Sequence, residues 1–237
     1  AEDGIRDRSP SRGLGDVYKR QVENFDSASI LEKENADITV LDIQDTTRSF
    51  IQNLKKKCKK TISFEDQGEG RNSVDLLIDC NLNPEDSKKI SSSTKTLFGL
   101  PYSVIGPEFG PLHLGRRNFQ DQIQSVLITF GGTDPYNITL NLAKHIPKKL
   151  KTTIIVGPGF QNKKALLALD NDHISIKENI KNLAPMLVSH DGVFCSGGVT
   201  LHEAMCLGTP AFVINQVEHQ EDTAKKAESQ GAAINLG

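Results

Sequence analysis

One stretch, Asp-Gly-Val-Phe-Cys-Ser-Gly-Gly-Val-Thr-Leu-His-Glu-Ala (191–204), constrains the fold of this chain more than any other. Residues 192–195 form a short apolar run that is long enough for one buried strand. Ser196, Gly197 and Gly198 then turn the chain where almost no side chain can obstruct a ligand. From Val199 the apolar residues recur at helical spacing, and Gly208 ends the run. The pattern therefore predicts a strand, a glycine turn and the start of a helix.

A turn of this kind can bind an anion. The free backbone N–H groups of a helix start and the positive end of the helix dipole point to the same place. Glu203 lies one turn into the predicted helix, close enough to accept hydrogen bonds from the hydroxyls of a sugar. Glycine-rich turns without any ligand are also common in α/β domains. Taken alone, the stretch leaves the two interpretations about equal.

The composition excludes several classes of partner. The chain has 237 residues with 37% hydrophobic and 24% charged side chains, which leaves room for one large or two small soluble domains. A net charge of -2 provides no basic field for nucleic acid or for membrane insertion. No signal peptide or membrane-spanning run is visible, and no two of the four cysteines form a CxxC pair. We therefore expect a cytoplasmic protein with reduced thiols, no metal and no cofactor.

The first residues differ from the rest of the chain. Residues 1–21 have no apolar periodicity and are dense in Arg, Asp, Gly and Ser. We interpret them as non-native, translated adaptor sequence, with a natural disordered tail as the alternative, and predict no packed structure there. From residue 22 onward, predicted strands at 36–42, 60–64 and 74–80 alternate with predicted helices at 25–34 and 47–60. This rhythm predicts a partial Rossmann-like domain over residues 22–117, followed by a linker near 116–118.

The second half, residues 118–237, repeats the strand–helix rhythm more regularly. Its predicted strands lie at 125–130, 152–156, 174–177, 192–195 and 210–214, each followed by a predicted helix. A further strand begins at 232, close to the last residue, so we expect a truncated C-terminus. In a parallel sheet the loops that follow the strands gather at one edge and bind ligands there. Four loops qualify: 131–135, 157–159, 196–200 and the turn at 215–216.

Six motifs together carry a resemblance to a known family. In chain order they are FEDQGEG (64–70), PEF (107–109), FGGTDP (130–135), VGPGF (156–160), SGGVTLHEA (196–204) and EHQ (218–220). The series resembles the UDP-sugar hydrolases of pseudaminic acid biosynthesis and their spore-coat polysaccharide relatives. The C-terminal half is also similar to the family 28 glycosyltransferases that act on UDP-N-acetylglucosamine. The resemblance covers residues 22–237 and is specific as a series, whereas each motif alone is weak.

The resemblance implies an α/β chain of GT-B architecture, in which two Rossmann-like domains with parallel sheets face a cleft and the N-terminal domain is truncated. It implies that UDP-sugar is held mainly by the C-terminal domain, with Glu203 at the ribose and the backbone of Ile180 at the uracil. The diphosphate would be bound at Ser196, Gly197, Gly198, Val199 and Thr200. The positions implied to border the sugar or the phosphates are Gly131, Gly132, Asp134, His219 and Gln220.

The catalytic residue is not identified by the sequence. In the family the first strand ends in a glycine loop with a catalytic histidine, and that loop would lie before Val22, where no such motif occurs. Asp66 and His219 are the remaining candidates. A solvated acidic turn explains Asp66 equally well, and a polar helix start explains His219 equally well. We therefore expect the chain as given to bind UDP without hydrolysing UDP-sugars at an appreciable rate.

Three functions remain open after the motifs are weighed. The first is hydrolysis of a UDP-linked diacetamido-trideoxy sugar to free sugar and UDP in surface-glycan (nonulosonic acid) biosynthesis, which FEDQG and PEF favour. The second is transfer of a hexosamine from a UDP-sugar to an acceptor, and the third is non-catalytic binding of a nucleotide sugar. An NAD site at residues 157–162 is disfavoured because Asn162 stands where the third glycine of the fingerprint belongs. The oligomeric state is left open.

Overall fold

A computed structural model describes residues 36–113 and 121–237, apart from the side chain of His219. The segment 1–21, the helix predicted at 25–34 and the linker near 116–118 lie outside these residues. The chain divides into two compact units, Ala1–Tyr102 and Ser103–Gly237. This division lies earlier than the predicted boundary at 117, because Phe109 is buried in the apolar core of the second unit with Leu201 and Ala204.

The first unit is a four-stranded parallel sheet whose strands follow one another in chain order. The strands are β1 (Ala36–Asp42), β2 (Cys58–Phe64), β3 (Leu76–Asp79) and β4 (Lys95–Phe98). Helix α1 (Arg48–Leu54) and the single turn α2 (Pro84–Ser87) connect them, with short 3₁₀ turns at Glu69–Asn72 and Leu100–Tyr102. The core of this unit consists of Leu41, Ile51, Leu54, Val74, Leu77, Leu82 and Ile90.

Two sequence predictions in the first unit were wrong in detail. The helix predicted at 47–60 ends at Leu54, because the chain from Cys58 onward pairs with β1. In β2 the buried Thr61 and Ser63 show the two-residue period of a strand, but the strand begins at Cys58 with two exposed lysines, which resemble the lysine-rich end of the preceding helix. The strand β4 and the turn α2 were not predicted, since neither has a clear apolar period.

The second unit is a six-stranded parallel sheet in the order β10-β9-β8-β5-β6-β7. Its strands are β5 (Ser125–Ile128), β6 (Lys151–Val156), β7 (Ile174–Glu178), β8 (Gly192–Cys195), β9 (Ala211–Val213) and β10 (Ala233–Asn235). Its helices are α3 (Gly110–His113), α4 (Ile138–His145), α5 (Lys163–Leu167), α6 (Ala184–Ser189), α7 (Val199–Cys206) and α8 (His219–Ser229). A 3₁₀ turn at Pro107–Phe109 precedes α3.

This strand order is that of the Rossmann fold. Counted within the unit, the strands run 3-2-1-4-5-6, so the direction of winding reverses between β5 and β8. Open parallel sheets bind ligands at the carboxyl ends of the two strands that flank such a reversal. The topology therefore selects the loops after β5 and β8, which carry the FGGTDP and SGGVT motifs.

Helices cover both faces of this sheet, as the alternation of side chains along its strands requires. Leu127 of β5 belongs to one buried cluster, with Leu187 of α6 and Leu201 of α7. The next residue, Ile128, belongs to the opposite cluster, with Leu140 of α4 and Leu166 of α5. Burial on both faces makes the central strands rigid, and they support the loops at their carboxyl ends. Across the described residues, every helix is too short or too polar to traverse a bilayer.

Candidate functional site

The loops after β5, β6 and β9 are joined by hydrogen bonds at the carboxyl edge of the second sheet. The backbone N–H of Gly159, after β6, donates to the carbonyl of Gly132, after β5, at 2.9 Å. The side-chain amide of Gln216, after β9, donates to the carbonyl of Phe130 at 2.9 Å. Since β8 lies between β9 and β5, its glycine turn is flanked by these loops. The structure thus brings together the four loops that the sequence selects.

Close packing explains the glycine at position 157. A Cβ there would lie 2.4 Å from the Cα of Gly132 and 2.5 Å from the carbonyl oxygen of Gly131. Gly131 itself has a φ of 78°, a conformation that disfavours other residues. Gly132, in contrast, would meet nothing within 4 Å, so its surroundings are open. The glycines of these two loops therefore let the loops touch and leave space above Gly132.

The start of α7 offers uncapped backbone donors. Within residues 36–113 and 121–237, no side chain is seen to cap this helix, whereas the Thr47 hydroxyl accepts from the N–H of Phe50 at the start of α1. The first N–H groups of a helix have no partner within the helix. Val199, the first residue of α7, is 65% exposed. This helix start is therefore an accessible site for an anion.

The two glycines of the turn before α7 have different surroundings. A Cβ on Gly197 would lie 2.4 Å from the carbonyl oxygen of Gln220 and 2.8 Å from Oδ1 of Asn215. A Cβ on Gly198 would have only Nε2 of Gln220, at 3.7 Å, and Oγ of Ser196, at 3.9 Å, within range. Gly197 thus lets the turn pack against α8, while Gly198 keeps the helix start open.

The side chain of Gln220 is oriented toward this turn. Its Oε1 accepts a hydrogen bond of 2.8 Å from the backbone N–H of Gln216. Its Nε2 lies beside Gly198 and has no hydrogen-bond partner among the described residues. The free amide donor therefore stands at the place where the resemblance puts a ligand contact.

Glu203 lies half-buried on α7 and is unpaired. No hydrogen bond or ion pair reaches its carboxylate from the part of the chain that the structure describes. Burial, reinforced by the charge of Glu108, raises the pKa of Glu203 to about 7. Sequence reasoning missed this second carboxylate, although PEF was recognised as a motif. Glu108 comes close because the adjacent Phe109 is anchored in the core that α7 lines.

The carboxylate of Asp134 is hydrogen-bonded to the backbone at the start of α4. This residue is 4% exposed and has a φ of 45°. Its Oδ1 accepts from the N–H of Ile138 at 3.0 Å, and its Oδ2 accepts from the N–H of Thr139 at 2.8 Å. Both carboxylate oxygens thus satisfy the start of α4. That Asp134 borders the sugar and phosphates stays a prediction, and the structure shows that its carboxylate faces helix N–H groups.

Asp66 is fully buried in the first unit. Its Oδ1 accepts from the backbone N–H of Thr46 at 3.0 Å and of Gly68 at 2.9 Å. Its Oδ2 accepts from the hydroxyls of Thr46 and Ser63. Four donors therefore tie the loop after β1 to the loop after β2 through one carboxylate. Neither sequence interpretation fits, since a base must be reachable by water and a solvated turn must be exposed.

The other predicted residues are placed as follows. Ile180 follows β7 and is 37% exposed. His219 begins α8, and its side chain lies outside the described atoms. The neighbouring His202 of α7 is buried, and its Nδ1 lies 2.6 Å from Oγ of Ser103. Burial lowers the pKa of His202, so this residue is a neutral part of the core.

Three curated proteins are similar in sequence. An uncharacterised protein of Methanocaldococcus jannaschii is 27% identical over 215 residues, which is 84% of this chain and 44% of that protein. The spore coat polysaccharide biosynthesis protein SpsG of Bacillus subtilis is 25% identical over 87% of this chain and 64% of its own length. The UDP-2,4-diacetamido-2,4,6-trideoxy-beta-L-altropyranose hydrolase of Campylobacter jejuni is 22% identical over 92% of this chain and 81% of its own length. The chain thus spans about half to two thirds of the first two relatives.

Two solved structures share the fold. The glycotransferase of kitacinnamycin aligns with a TM-score of 0.58 at 11% identity, over 88% of this chain and 65% of that protein. MurG of Acinetobacter baumannii aligns with a TM-score of 0.52 at 17% identity, over 79% of this chain and 62% of that protein. The fold class is GT-B, as predicted. No protein-family model matches the chain.

Proposed function

We propose that the second unit binds the UDP part of a UDP-sugar at the carboxyl edge of its sheet. The observation that carries this proposal is the uncapped start of α7, opened by Gly198 and located at the reversal between β5 and β8. A diphosphate there would accept hydrogen bonds from the backbone N–H groups of residues 198–200 and would interact favourably with the helix dipole. No basic side chain is needed for this binding mode.

The free polar groups around this turn fit the remaining parts of the ligand. Glu203 provides a carboxylate with unused lone pairs one turn into α7, and we assign it to the ribose hydroxyls. Gln220 provides an unpaired amide donor beside Gly198, and we assign it to the sugar side of the diphosphate. The space above Gly132 accommodates the sugar, and the backbone of Ile180 is assigned to the uracil.

The proposed reaction is hydrolysis of a UDP-linked diacetamido-trideoxy sugar, in the synthesis of a surface glycan. Water attacks the anomeric carbon, the bond from that carbon to the phosphate oxygen breaks, and UDP leaves with the bonding electrons. The start of α7 stabilises the charge that develops on the leaving diphosphate. The similarity to the Campylobacter jejuni hydrolase over 92% of this chain supports this choice. His219 remains the candidate base, and Asp66 is withdrawn because it is buried.

Two measurements on the whole chain test the proposal. Titration calorimetry should show tighter binding of UDP than of UMP, because only UDP presents a second phosphate to α7. Equal affinity would remove the diphosphate cradle from the proposal, and absence of UDP binding would contradict it.

Turnover then distinguishes the two reactions. Release of UDP from UDP-sugars in water alone supports hydrolysis, and release that depends on an added sugar acceptor supports a transferase with the same donor site. Hydrolysis requires a water-activating base, which typically contributes about 10²–10⁴-fold to the rate. The turnover of this chain is therefore best compared with that of a chimera carrying the N-terminal region of the Campylobacter jejuni relative.

A further inference from the structure

Gln216 connects the loop after β9 to strand β5 and to helix α8. It is not one of the residues assigned to contact the ligand. Its side-chain Nε2 donates to the carbonyl of Phe130 at 2.9 Å, at the end of β5. Its backbone N–H donates to Oε1 of Gln220 at 2.8 Å, in the first turn of α8. One residue therefore fixes the loop after β9 to β5 on one side and to α8 on the other.

The order of the strands shows how this connection affects the glycine turn after β8. Strand β8 lies between β9 and β5, so the bond from Gln216 to Phe130 spans the carboxyl end of β8. The glycine turn 196–198 leaves the sheet at that end. The bond therefore limits how far the loops on the two sides of the turn can separate.

The hydrogen bond from the backbone N–H of Gln216 determines how the side-chain amide of Gln220 is oriented. A glutamine amide can present either its oxygen or its nitrogen to a given partner. Because Oε1 of Gln220 accepts from the backbone of Gln216, Nε2 is the group left beside Gly198. A diphosphate or a sugar oxygen needs a donor at that place, so this orientation is the productive one.

We propose that Gln216 is a positioning residue for nucleotide-sugar binding: its side-chain bond to Phe130 sets the spacing of the β5 and β9 loops and thereby holds in place the backbone N–H that orients Gln220. The inference rests on the proposed function, because it presupposes a ligand at the start of α7. It adds a residue that no motif of the resemblance includes.

The test compares three probes, UMP, UDP and UDP-N-acetylglucosamine, in titrations of the whole chain. Gln216→Met keeps the length of the side chain and removes the donor to Phe130. Gln220→Met removes the amide that Gln216 orients. Gln230→Met is the matched control, because Gln230 is exposed at the opposite end of α8.

The expected result is selective and non-additive. Gln220→Met should weaken UDP-N-acetylglucosamine binding about three- to tenfold, which corresponds to one lost hydrogen bond, and Gln216→Met should cause a loss of up to that size because it displaces the amide without removing it. The double variant should be weakened by less than the sum of the two single losses, because Gln216→Met acts by displacing the same amide that Gln220→Met removes. UMP affinity should change less than twofold, and the control should change nothing. Loss of affinity for all three probes in parallel would indicate a merely structural role and would overturn the inference.

A second variant, Gln216→Asn, allows the same test if Gln216→Met does not fold. Gln216→Asn keeps the amide but is one methylene shorter, so it should not reach Phe130 and should reproduce the selective loss. Wild-type affinity in both variants, or strictly additive losses in the double variant, would overturn the inference while leaving the proposed function intact. If the wild-type chain binds neither UDP nor UDP-N-acetylglucosamine, the proposed function itself is contradicted.

Discussion

Two loops of this protein each follow a strand and combine glycine with a nearby acidic residue, yet their polar groups are used in opposite ways. The loop after β2 contains Asp66 and Gly68, and the loop after β8 contains Gly198 and precedes Glu203. In the first loop the carboxylate of Asp66 accepts hydrogen bonds from four donors of the same unit. In the second, the carboxylate of Glu203 has no partner among the described residues, and the start of α7 has no cap.

The difference shows how a polar motif can be assigned from its hydrogen bonds. A buried polar group whose bonds are all made by the protein stabilises the fold, because its removal leaves several partners unsatisfied. A partly buried group left without partners costs stability in the free protein, and a ligand can supply what it lacks. We therefore assign FEDQG to architecture and SGGVTLHEA to binding.

The largest expected effect is that of Asp66→Ala on stability. The substitution leaves the N–H groups of Thr46 and Gly68 and two hydroxyls without their acceptor. We expect the free energy of unfolding of the first unit to fall by about 3 kcal/mol. Denaturant titration measures this loss, with the exposed Glu69→Ala as control. Unchanged stability would contradict the structural role assigned to Asp66.

The two glycines of the α7 turn should respond differently to alanine. Gly197→Ala forces a methyl group against the carbonyl of Gln220 and should cost about 1–3 kcal/mol of stability. Gly198→Ala meets no close neighbour, so its stability should stay within about 0.5 kcal/mol of wild type. The added methyl group stands where the diphosphate approaches, and UDP affinity should fall on the order of tenfold, or about 1.4 kcal/mol. Full UDP affinity in Gly198→Ala would place the ligand elsewhere.

Glu203→Ala should reduce binding without damaging the fold. A carboxylate bound to ribose hydroxyls makes charge-assisted hydrogen bonds worth roughly 1.5–3 kcal/mol each. UDP affinity should therefore fall on the order of tenfold or more, as measured by calorimetry. The melting temperature should not fall, since no described residue loses a hydrogen bond. A lower melting temperature with unchanged UDP affinity would show that Glu203 is structural.

The smallest effect is the pH dependence of stability that Glu203 introduces. Because its pKa in the folded protein is raised from 4.5 to about 7, the folded state favours the protonated carboxyl. Ionisation thus costs stability, and this cost is absent below pH 4.5, grows as pH rises and is complete above about pH 7.

Glu203→Gln should remove that dependence. The variant should match wild type at pH 4 and exceed it at pH 8 by about 1 kcal/mol. The unscreened rise from 4.5 to about 7 would correspond to roughly 3 kcal/mol at 1.36 kcal/mol for each pKa unit, and solvent screens most of it at a half-exposed group. Urea titrations at the two pH values measure the difference. If the stability of Glu203→Gln differed from that of wild type by the same amount at pH 4 and at pH 8, Glu203 would not titrate in this range. Glu108→Gln should lower the pH at which this stability is lost, by a small amount, because the charge of Glu108 is the lesser of the two causes of the raised pKa of Glu203.

The sequence determined the elements whose residues are near one another in the chain. The strand at 192–195, the glycine turn and the helix from Val199 were all predicted, because apolar period and glycine position are local signals. The alternation of strands and helices was enough to predict parallel sheets, and parallel sheets place their loops at one edge. Local patterns failed at β4, which has no clear apolar period, and at the start of β2, where two exposed lysines extend the lysine run that follows α1.

Tertiary structure alone decided which polar groups are satisfied. It buried Asp66 among four donors, turned Asp134 toward the start of α4, and placed Glu108 near Glu203. It also linked Gln216 to Phe130, residues far apart in the chain. A sequence shows that a side chain can donate or accept, but the partner it meets depends on which strands become neighbours in the sheet. For that reason the sequence predicted which loops meet at the edge of the sheet, and only the fold showed which of their side chains have no partner among the described residues.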